Sequence, residues 1–510
     1  MAEGAYDVAV IGAGPNGLTA AAYLARAGAR VIVLEKRFER GGTFATDDYS
    51  TPYLYDIAQV ALPLGRETPP YRDLALGEEA VAFVEPDHVF AVTAEPRGEP
   101  LVIGRGGRGL GAEFERQIAA ASASILPLLY ADAEDERTVR ARLASSHPDA
   151  LALADATPNS LASRAADTRA AIALRYACGL AGFPAADETL GPIGAFALAR
   201  TFAPSLVVGG TKNLANALFR VAARAGANCR VTSEVTHVGS EDQGFRLAIR
   251  FGREVIARNV IATTDVRMLV DDLLAPELAD DELEALARRW RFDEYGTFTA
   301  HFGVKGGPPT PAAVDDDALI RVIGFREASD VEQHLAAVRE GKLPSALAGH
   351  LTCLTAFDPQ RASPGPYGPL HTLRFEMPAP SFHPDESWDR ARRRVREASW
   401  ELTRTHTTGL ESARLLFAFS DSPLDIERRF GTARNGSIRQ GSLHQDQALD
   451  RRLAARTSIP GLYIGGGAAH PGVPGTLGGG YNAAVAVAAD LGLNLSRSTD
   501  STAGVHVLKA

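Results

Sequence analysis

Residues 6–36, YDVAVIGAGPNGLTAAAYLARAGARVIVLEK, have the pattern of two apolar strands joined by a glycine-rich turn and an alanine-rich helix. Val8, Val10 and Ile11 belong to the first apolar run, which ends at the turn GAGPNG. The helical stretch LTAAAYLARAG closes at Gly28, and RVIVLE follows as the second strand. This order is typical of a βαβ unit with parallel strands. The pattern predicts a Rossmann-like α/β domain.

The glycine spacing in GAGPNG predicts a dinucleotide-binding turn. Gly12 permits the tight turn, Gly14 lets the main chain approach a diphosphate, and Gly17 lets the helix pack closely on the strand. The free N–H groups at the start of the helix face the phosphates, and the Glu35 carboxylate suits the two ribose hydroxyls. An acid there disfavours a 2′-phosphate, and therefore NADP. The residues that we expect at the nucleotide are Gly12, Gly14, Pro15, Asn16, Gly17, Glu35 and Lys36.

A second glycine pair, Gly41 and Gly42 in ERGGTF, favours FAD over NAD. The diphosphate and ribityl chain of FAD extend past the first turn and need more main chain without side chains. Further along the sequence, residues 461–480, GLYIGGGAAHPGVPGTLGGG, hold nine glycines. Glycine costs backbone entropy on folding, so this density indicates that something approaches the main chain closely. We predict FAD as the cofactor.

Composition excludes several classes of protein. With 510 residues the chain exceeds one hydrophobic core, so we expect two or three structural units. A net charge of −9 without a basic, aromatic-rich stretch argues against nucleic acid as a partner. Cys178, Cys229 and Cys353 form no metal-ligand pair or disulfide framework, so we expect no metal site. Lacking an apolar spanning stretch or a basic n-region, the chain is expected to be cytoplasmic, with peripheral membrane contact left open.

These motifs resemble those of the FAD-dependent oxidoreductases of the phytoene desaturase type, which include carotenoid desaturases and ketolases and retinol saturase. The resemblance covers nearly the whole chain and rests on VIGAGPNGLTAAAYLARAG, ERGGTF, VVGGTKNLANALFRVAARAGANCRVTSEVTHV, SPLDIERRFGTARNGSIRQGSLHQDQ and GLYIGGGAAHPG. The fourth segment is most similar to the pyridine nucleotide-disulfide oxidoreductase domain-containing subfamily and the ketolase-like members. The resemblance implies an FAD-dependent desaturase or dehydrogenase.

The resemblance also implies roles for individual residues at the cofactor. Beside the ribityl chain and on the strand whose backbone holds adenine, the matching residues are Gly41, Gly42, Thr43 and Val235. Along the diphosphate and at the pyrimidine end of the flavin, they are Gly466, Gly475, Thr476 and Leu477. The chain departs from the family in two loops: Gln440 replaces a histidine, and HPGVPG is shorter than the usual flavin-side motif. Both loops are expected at the substrate, which therefore stays open.

The fold class that we predict is α/β, with a discontinuous Rossmann-like FAD-binding domain and an α+β substrate domain that has a mixed sheet and a helical cap. Residues 110–200 have helical patterns, while FTAHFGVK and LHTLRFEMP are strand-like. The predicted boundaries are 1–65, 205–270 and 440–495 for the FAD-binding domain, 66–204 and 271–439 for the substrate domain, and 496–510 for a loose polar tail.

A flavin accepts a hydride at N5, so the expected reaction removes hydrogen from a C–H bond of an apolar or partly polar small molecule. The main requirement is placement of that bond near N5, with a weak base or water taking any proton. No second complete dinucleotide fingerprint is present, so we expect oxygen or a quinone as electron acceptor rather than NAD(P)H. The candidate polar residues at the reaction are Asp56, Gln59, His444, His470 and Tyr481.

Three alternatives stay open on the sequence. A flavin amine oxidase keeps the fold, although residues 461–490 hold only Tyr463 and Tyr481 as aromatics, against the aromatic pair that such a site favours. A redox-neutral isomerase that uses reduced flavin also fits the cofactor motifs. Rab-escort and GDP-dissociation-inhibitor proteins share the fold without using FAD, but the intact phosphate loop, Glu35 and the second glycine pair argue against that non-enzymatic function.

Overall fold

Two sheets of different character, surrounded by helices, make up the fold. The computed structural model describes residues 3–47, 52–183, 185–306, 318–362, 370–381, 386–410 and 413–495. The predicted polar tail, 496–510, lies outside these residues. Within the described residues the strands, in chain order, are β1 (Glu3–Ile11), β2 (Val31–Leu34), β3 (Thr46–Asp47), β4 (Tyr55–Asp56), β5 (Ala61–Leu62), β6 (Phe83–Val84), β7 (His88–Val92), β8 (Leu101–Gly104), β9 (Ser205–Val207), β10 (Asn228–Arg230), β11 (Val235–Glu241), β12 (Gly244–Ile249), β13 (Val255–Ala262), β14 (Tyr295–Lys305), β15 (Ile320–Ile323), β16 (Gly349–Cys353), β17 (Leu370–Pro380), β18 (Arg414–Asp421) and β19 (Leu462–Ile464).

Many of the α-helices begin with proline in the first turn, where the missing N–H costs no hydrogen bond. Thr157 and Ser422 each form a capping box at the start of a helix. The described α-helices are α1 (Pro15–Arg26), α2 (Pro69–Asp73), α3 (Ala112–Ile125), α4 (Glu136–Ser146), α5 (Pro148–Ala154), α6 (Pro158–Ser163), α7 (Thr168–Ala181), α8 (Gly191–Thr201), α9 (Lys212–Arg224), α10 (Asp281–Arg289), α11 (Ala328–Arg339), α12 (Leu354–Phe357), α13 (Trp388–His406), α14 (Pro423–Phe430) and α15 (Gly478–Asp490).

The first sheet contains the parallel strands β10, β2, β1 and β13, in that order. Beyond β13 it divides, because β12 pairs antiparallel with the first half of β13 and leads to β11, while β19 pairs parallel with the second half. Valine, isoleucine and alanine make up most of the buried part of β1, β2 and β13, as expected for parallel strands covered on both faces, whereas the edge strand β10 is Asn-Cys-Arg and half-buried. Helices α1, α9 and α15 pack on one face in a shared apolar cluster. The predicted βαβ unit is found at β1, α1 and β2.

The second sheet has the order β18-β14-β17-β16-β15-β7-β8 and is antiparallel except between β15 and β7. Because side chains alternate along a strand, its two faces differ in chemistry. Phe298, Phe302 and Phe375 lie on one face, in an apolar cluster with Trp388 of helix α13. Polar residues of the same strands lie on the opposite face, where they border a cavity.

Helices α3 to α8 lie between β8 and β9, as the helical patterns predict. They pack with strands β7 and β15 and helix α11 in one large apolar cluster. Among the helices described here, none has the length and apolar character needed to cross a membrane. The predicted fold class, a Rossmann-like unit beside a mixed-sheet unit with a helical cap, is confirmed. The domain boundaries stay predictions.

A buried ion pair ties distant parts of the chain together. The side chains of Asp56 and Arg361 are both completely buried, and Arg361 Nη1 donates to Asp56 Oδ2 at 2.6 Å. Arg361 Nη2 donates to the Val207 carbonyl at 3.0 Å. Thr46 Oγ1 and the main-chain N–H of Thr211 donate to Asp56 Oδ1 at 2.6 and 2.9 Å. One carboxylate therefore joins β3, β4, the start of α9 and the segment that follows α12.

Replacing Asp56 by alanine is expected to lower the free energy of unfolding by about 3–5 kcal/mol, because it leaves the buried Arg361 guanidinium without its counter-charge. Urea unfolding of the purified protein, followed by far-ultraviolet circular dichroism, measures the loss. Asp446→Ala is the matched control, since that half-exposed carboxylate pairs with Arg291 at the surface and its loss should cost less than about 1 kcal/mol. Equal costs for the two substitutions would contradict the role given to the buried pair.

Candidate active site

The first of two adjoining cavities lies at the carboxyl ends of β1, β2 and β13, where helices α1 and α15 begin. This edge is the usual position of a ligand in such a sheet. Of the predicted cofactor residues, Gly17, Gly41 and Leu477 do not border it. The predicted residues that line it are Gly12, Gly14, Pro15, Asn16, Glu35, Lys36, Gly42, Thr43, Val235, Gly466, Gly475 and Thr476.

The first turn is held by main-chain contacts and by Glu35. Gly12 has a φ of +100°, and a Cβ on Gly17 would lie 2.1 Å from the Gly12 carbonyl oxygen, so helix and strand touch through glycine alone. Glu35 Oε2 accepts a hydrogen bond from the N–H of Ala13 at 2.8 Å, and Oε1 accepts one from Arg37 at 2.9 Å. The carboxylate fixes the turn and still borders the cavity, where its remaining lone pairs can accept ribose hydroxyls.

The two glycines of the second pair have different roles: Gly41 packs against the first turn, and Gly42 lines the cavity. Gly41 has a φ of +112° and donates its N–H to the Ala13 carbonyl at 2.9 Å, which holds this turn against the first one. A Cβ on Gly42 would lie 3.0 Å from the Cα of Gly14, and Gly42 and Thr43 both border the cavity. The two glycine-rich turns thus form a wall made of main chain.

Main-chain atoms of other segments lie against some of the glycines in residues 461–480. A Cβ on Gly480 would lie 2.1 Å from the Asn16 carbonyl oxygen, and one on Gly479 would lie 2.4 Å from the Gly466 carbonyl oxygen. The N–H of Gly480 donates to Asn16 Oδ1 at 3.2 Å. Leu477, at φ +61°, is buried as the residue preceding α15. Glycine at these positions lets α1 and α15 begin beside each other, and the cleft between main-chain walls with an acid at its edge fits a dinucleotide.

Gln440, the residue that replaces the family histidine, forms hydrogen bonds with two loops beside this cavity. Its Nε2 donates to the Thr263 carbonyl at 2.9 Å, and its Oε1 accepts the N–H of Gly467 at 2.6 Å. Gln440 borders the first cavity and joins the loop after β13 to the loop after β19. An amide serves here because one side chain must both donate and accept.

The second cavity has a volume of about 290 Å³ and lies between the polar face of the second sheet, helices α7 and α8, and the segment 57–63. Its walls are largely apolar on the side of the helices and of that segment. The two cavities adjoin. The residues that border both are Gln59, Ile438, Val473 and Pro474.

Four polar side chains form a hydrogen-bonded chain along this cavity. Arg374 Nη2 donates to Glu376 Oε1 at 2.8 Å, and His350 Nε2 lies 3.2 Å from Glu376 Oε2. The Tyr176 hydroxyl lies 2.9 Å from His350 Nδ1. Burial by itself raises the pKa of the Glu376 carboxyl, but the charge of Arg374 and the hydrogen bond with His350 outweigh that and hold the pKa well below its usual range. Glu376 is therefore ionised.

None of these four residues was among the candidates predicted from the sequence. Arg374 and Glu376 are two positions apart in LRFEM, so they share one face of strand β17. Two charges at that spacing inside an apolar run are a pattern that could have indicated a polar cavity wall. His350 and Tyr176 reach the same wall from β16 and α7, and no local pattern joins them to it.

Of the candidate polar residues, Gln59 alone borders the cavities, among the residues described. It lines both and is nearly buried. We correct the role predicted for Asp56, because its carboxylate is taken up by Arg361, Thr46 and Thr211 and borders neither cavity.

The other three candidates also lie outside the two cavities. His470 is buried, which lowers its pKa, and its Nε2 lies 2.8 Å from the Leu128 carbonyl oxygen. Tyr481 packs its ring against those of Tyr23 and Tyr130, with centroids 5.3 and 5.5 Å away. We assign these two side chains to packing and turn structure rather than to catalysis.

His444, the remaining candidate, lies at the surface side of its loop. Its Nε2 lies 2.7 Å from Glu188 Oε2 and its Nδ1 lies 2.9 Å from Asp446 Oδ1. Both partners are about half exposed, so the imidazole belongs to a surface ion-pair group. We assign it no contact with the substrate.

Comparison with known proteins defines the class. The family model described as flavin containing amine oxidoreductase matches residues 128–492, and an NAD(P)-binding Rossmann-like domain matches residues 10–68. The chain belongs to the flavin-containing amine oxidoreductase family. Since the main-chain cleft also fits a dinucleotide, the protein is an FAD-dependent oxidoreductase.

Several individual proteins are similar to this chain. A limonene dehydrogenase subunit of Castellaniella defragrans is 26% identical over 530 residues, covering 96% of this chain and 95% of the relative. Pyridine nucleotide-disulfide oxidoreductase domain-containing protein 2 of Rattus norvegicus is 44% identical over 71 residues, covering 14% of this chain and 12% of the relative. A putrescine oxidase solved with putrescine bound has a TM-score of 0.60 at 17% identity, covering 96% of this chain and 99% of that one, a likeness of fold.

Two glycine substitutions are expected to separate cofactor binding from folding. A Cβ at Gly14 meets no protein atom within 4 Å and its φ is −73°, so Gly14→Ala should fold normally and weaken FAD binding by about tenfold or more. Gly480→Ala puts a Cβ against the Asn16 carbonyl and should lower the thermal stability of the apoprotein itself. FAD titration of the apoprotein by fluorescence quenching and thermal unfolding followed by circular dichroism measure the two effects. Unchanged FAD affinity in Gly14→Ala would contradict the position of the cofactor.

Proposed function

We propose that the protein removes a hydride from a C–H bond of a small, largely apolar ring compound, and that oxygen or a quinone reoxidises the flavin. The observation that carries this proposal is the second cavity, which is largely apolar on its helical side and adjoins the cofactor cavity through Gln59, Val473 and Pro474. Its volume of about 290 Å³ is at the lower end of the range for ligand sites, which favours a ring compound over a long polyene. The full-length similarity to a limonene dehydrogenase subunit supports the same class of substrate.

FAD, when bound, supplies the hydride acceptor, so the chain itself has to supply placement and surroundings. Gly12, Gly14 and Glu35 would hold the nucleotide half, and Gly466 with Thr476 would border the flavin half. The N-terminus of α15 begins directly after this last turn, and its positive end favours negative charge on the neighbouring group.

At the junction of the cavities, the chain's own side chains orient the substrate. The amide of Gln59 lies there, within an otherwise apolar segment that runs from residue 57 to residue 63. Val473 and Pro474 border the junction as apolar residues and keep water away from it. We propose that Gln59 positions the substrate, and that a long-chain carotenoid, the substrate that the phytoene desaturase resemblance suggests, does not suit this site.

An amine oxidase is the second candidate function. The family and the fold likeness to putrescine oxidase favour it. Against it stands the charge of the cavity: among the described residues that line it, Glu376 is the one carboxylate, and it is already bound by Arg374 and His350. A protonated amine would find no free counter-charge in that wall.

The purified protein is expected to absorb in the blue and to lose that absorbance anaerobically with limonene or with a hydroxylated or saturated analogue. Stopped-flow absorbance at the flavin maximum measures the reaction, and readmitted oxygen or a quinone should restore the colour. Bleaching by primary amines alone would contradict the proposal in favour of the amine oxidase. Product analysis then identifies the new double bond or carbonyl group.

Gln59→Leu is expected to slow anaerobic flavin reduction by about tenfold to a hundredfold while FAD remains bound, because the variant keeps the side-chain volume and loses the amide that orients the substrate. Gln243→Leu, on the exposed turn between β11 and β12, is the matched control and should reduce at the wild-type rate. Single-turnover reduction rates at a fixed FAD content make the comparison. Equal rates in both variants would remove Gln59 from the site.

A further inference from the structure

The chain of polar side chains in the second cavity is more than an apolar substrate needs. Arg374 and His350 are almost fully buried, and Glu376 and Tyr176 complete the hydrogen-bonded chain from the sheet to α7. Burying ionised groups costs free energy, and well-packed apolar residues often serve as well for stability. A role toward the ligand accounts for their presence on a cavity wall.

The wall carries more positive than negative charge and has no carboxylate to spare. Both oxygens of Glu376 are engaged, one by Arg374 and one by His350. Arg374 also donates to the main-chain carbonyls of Asp56 and Ala58, the latter at 3.3 Å, so its guanidinium is held in place at the wall. Thr299 and Thr352 border the same stretch with their hydroxyl-bearing side chains.

The other charged side chains that line the cavity are also arginines, and their carboxylate partners lie outside the lining. Arg200 pairs with Glu67 and Arg439 pairs with Asp293, and neither of these carboxylates borders the cavity. Three arginines and one carboxylate thus line the cavity among the described residues, so this wall carries excess positive charge. Such a wall favours a hydrogen-bond acceptor and disfavours a cation.

We propose that the ligand of this cavity carries a hydrogen-bond-accepting oxygen, a ketone carbonyl or a carboxylate, which is received by the cluster of Arg374, Glu376, His350 and Tyr176. The inference rests on the proposed function, since it takes the second cavity as the substrate cavity. The excess positive charge of this wall attracts an accepting oxygen, and the Thr299 and Thr352 hydroxyls border the same stretch as donors, whereas a hydrocarbon gains nothing there and an ammonium group is repelled. The oxygen end then decides which carbon of the ring lies at the junction with the cofactor cavity.

The experiment uses the FAD-loaded protein and four ligands of one skeleton: isopropylcyclohexane, 4-isopropylcyclohexanone, 4-isopropylcyclohexanecarboxylate and 4-isopropylcyclohexylamine. Perturbation of the visible flavin spectrum under anaerobic, non-reducing conditions gives each dissociation constant. We expect the ketone or the carboxylate to bind about tenfold or more tightly than both the hydrocarbon and the amine. The order of the two oxygen ligands tells a carbonyl site from a carboxylate site. An amine or hydrocarbon that binds as tightly as both oxygen ligands overturns the inference.

Glu376→Gln tests the charge arrangement directly. Removal of the negative charge leaves the Arg374 guanidinium without its counter-charge at the cavity wall, so the ratio of carboxylate to hydrocarbon affinity should rise by about tenfold. Tyr295→Phe is the matched control, because that hydroxyl borders the same cavity but donates to the Gly179 carbonyl at 2.7 Å, and the ratio should stay unchanged. A ratio that stays constant in Glu376→Gln contradicts the inference; if that variant does not fold, the wild-type series decides.

The two proposals fail in different ways. If FAD is bound and none of the four ligands perturbs its spectrum, the second cavity is not the substrate cavity and the proposed function fails. If all four bind equally well, the cavity takes the ring compound and the polar cluster does not select its oxygen, so the inference alone fails.

Discussion

The fold depends on close contact between main chains at the point where helices α1 and α15 begin. The Asn16 carbonyl would lie 2.1 Å from a Cβ on Gly480, and the Gly12 carbonyl 2.1 Å from a Cβ on Gly17. Only glycine permits such approaches. The contact of Asn16 with Gly480 brings two segments more than 400 residues apart in sequence to one sheet edge. Both helix N-termini then lie toward one cleft. The dinucleotide cleft is a consequence of this packing.

The second cavity depends on the different character of the two sheets. The central parallel strands of the first sheet, β1, β2 and β13, are largely apolar on both faces, so the cofactor cavity lies at an edge. The second sheet packs one face on α13 and leaves the other face polar beside the cavity. The buried pair of Asp56 and Arg361 links strand β4 to strand β9 and to the segment after α12. Strand β4 lies just ahead of the cavity segment that includes Gln59. The buried ion pair and the cavity residue Gln59 therefore lie in one short segment.

Local patterns predict the residues that bind the cofactor. Gly12, Gly14 and Glu35 follow from the spacing of one βαβ unit, and the structure places all three at the cleft. The predicted polar residues do not reach the cavities in the same way. Asp56, His470 and Tyr481 lie close in sequence to residues that line a cavity, but their side chains make contacts in packed surroundings. Sequence neighbours of a cavity residue alternate in direction along extended chain, so proximity in sequence does not place a side chain in the cavity.

The amino-acid sequence by itself determined the parallel α/β unit, the need for main chain free of side chains and the dinucleotide as ligand, because periodicity and glycine spacing act over a few residues. Only the tertiary structure decided the polar wall of the second cavity. Tyr176, His350, Arg374 and Glu376 come from one helix and two strands, and their hydrogen bonds exist only once β16 and β17 pair beside α7. The spacing of Arg374 and Glu376 places them on one face of β17, but the contacts that His350 and Tyr176 make with them leave no periodic trace in the sequence.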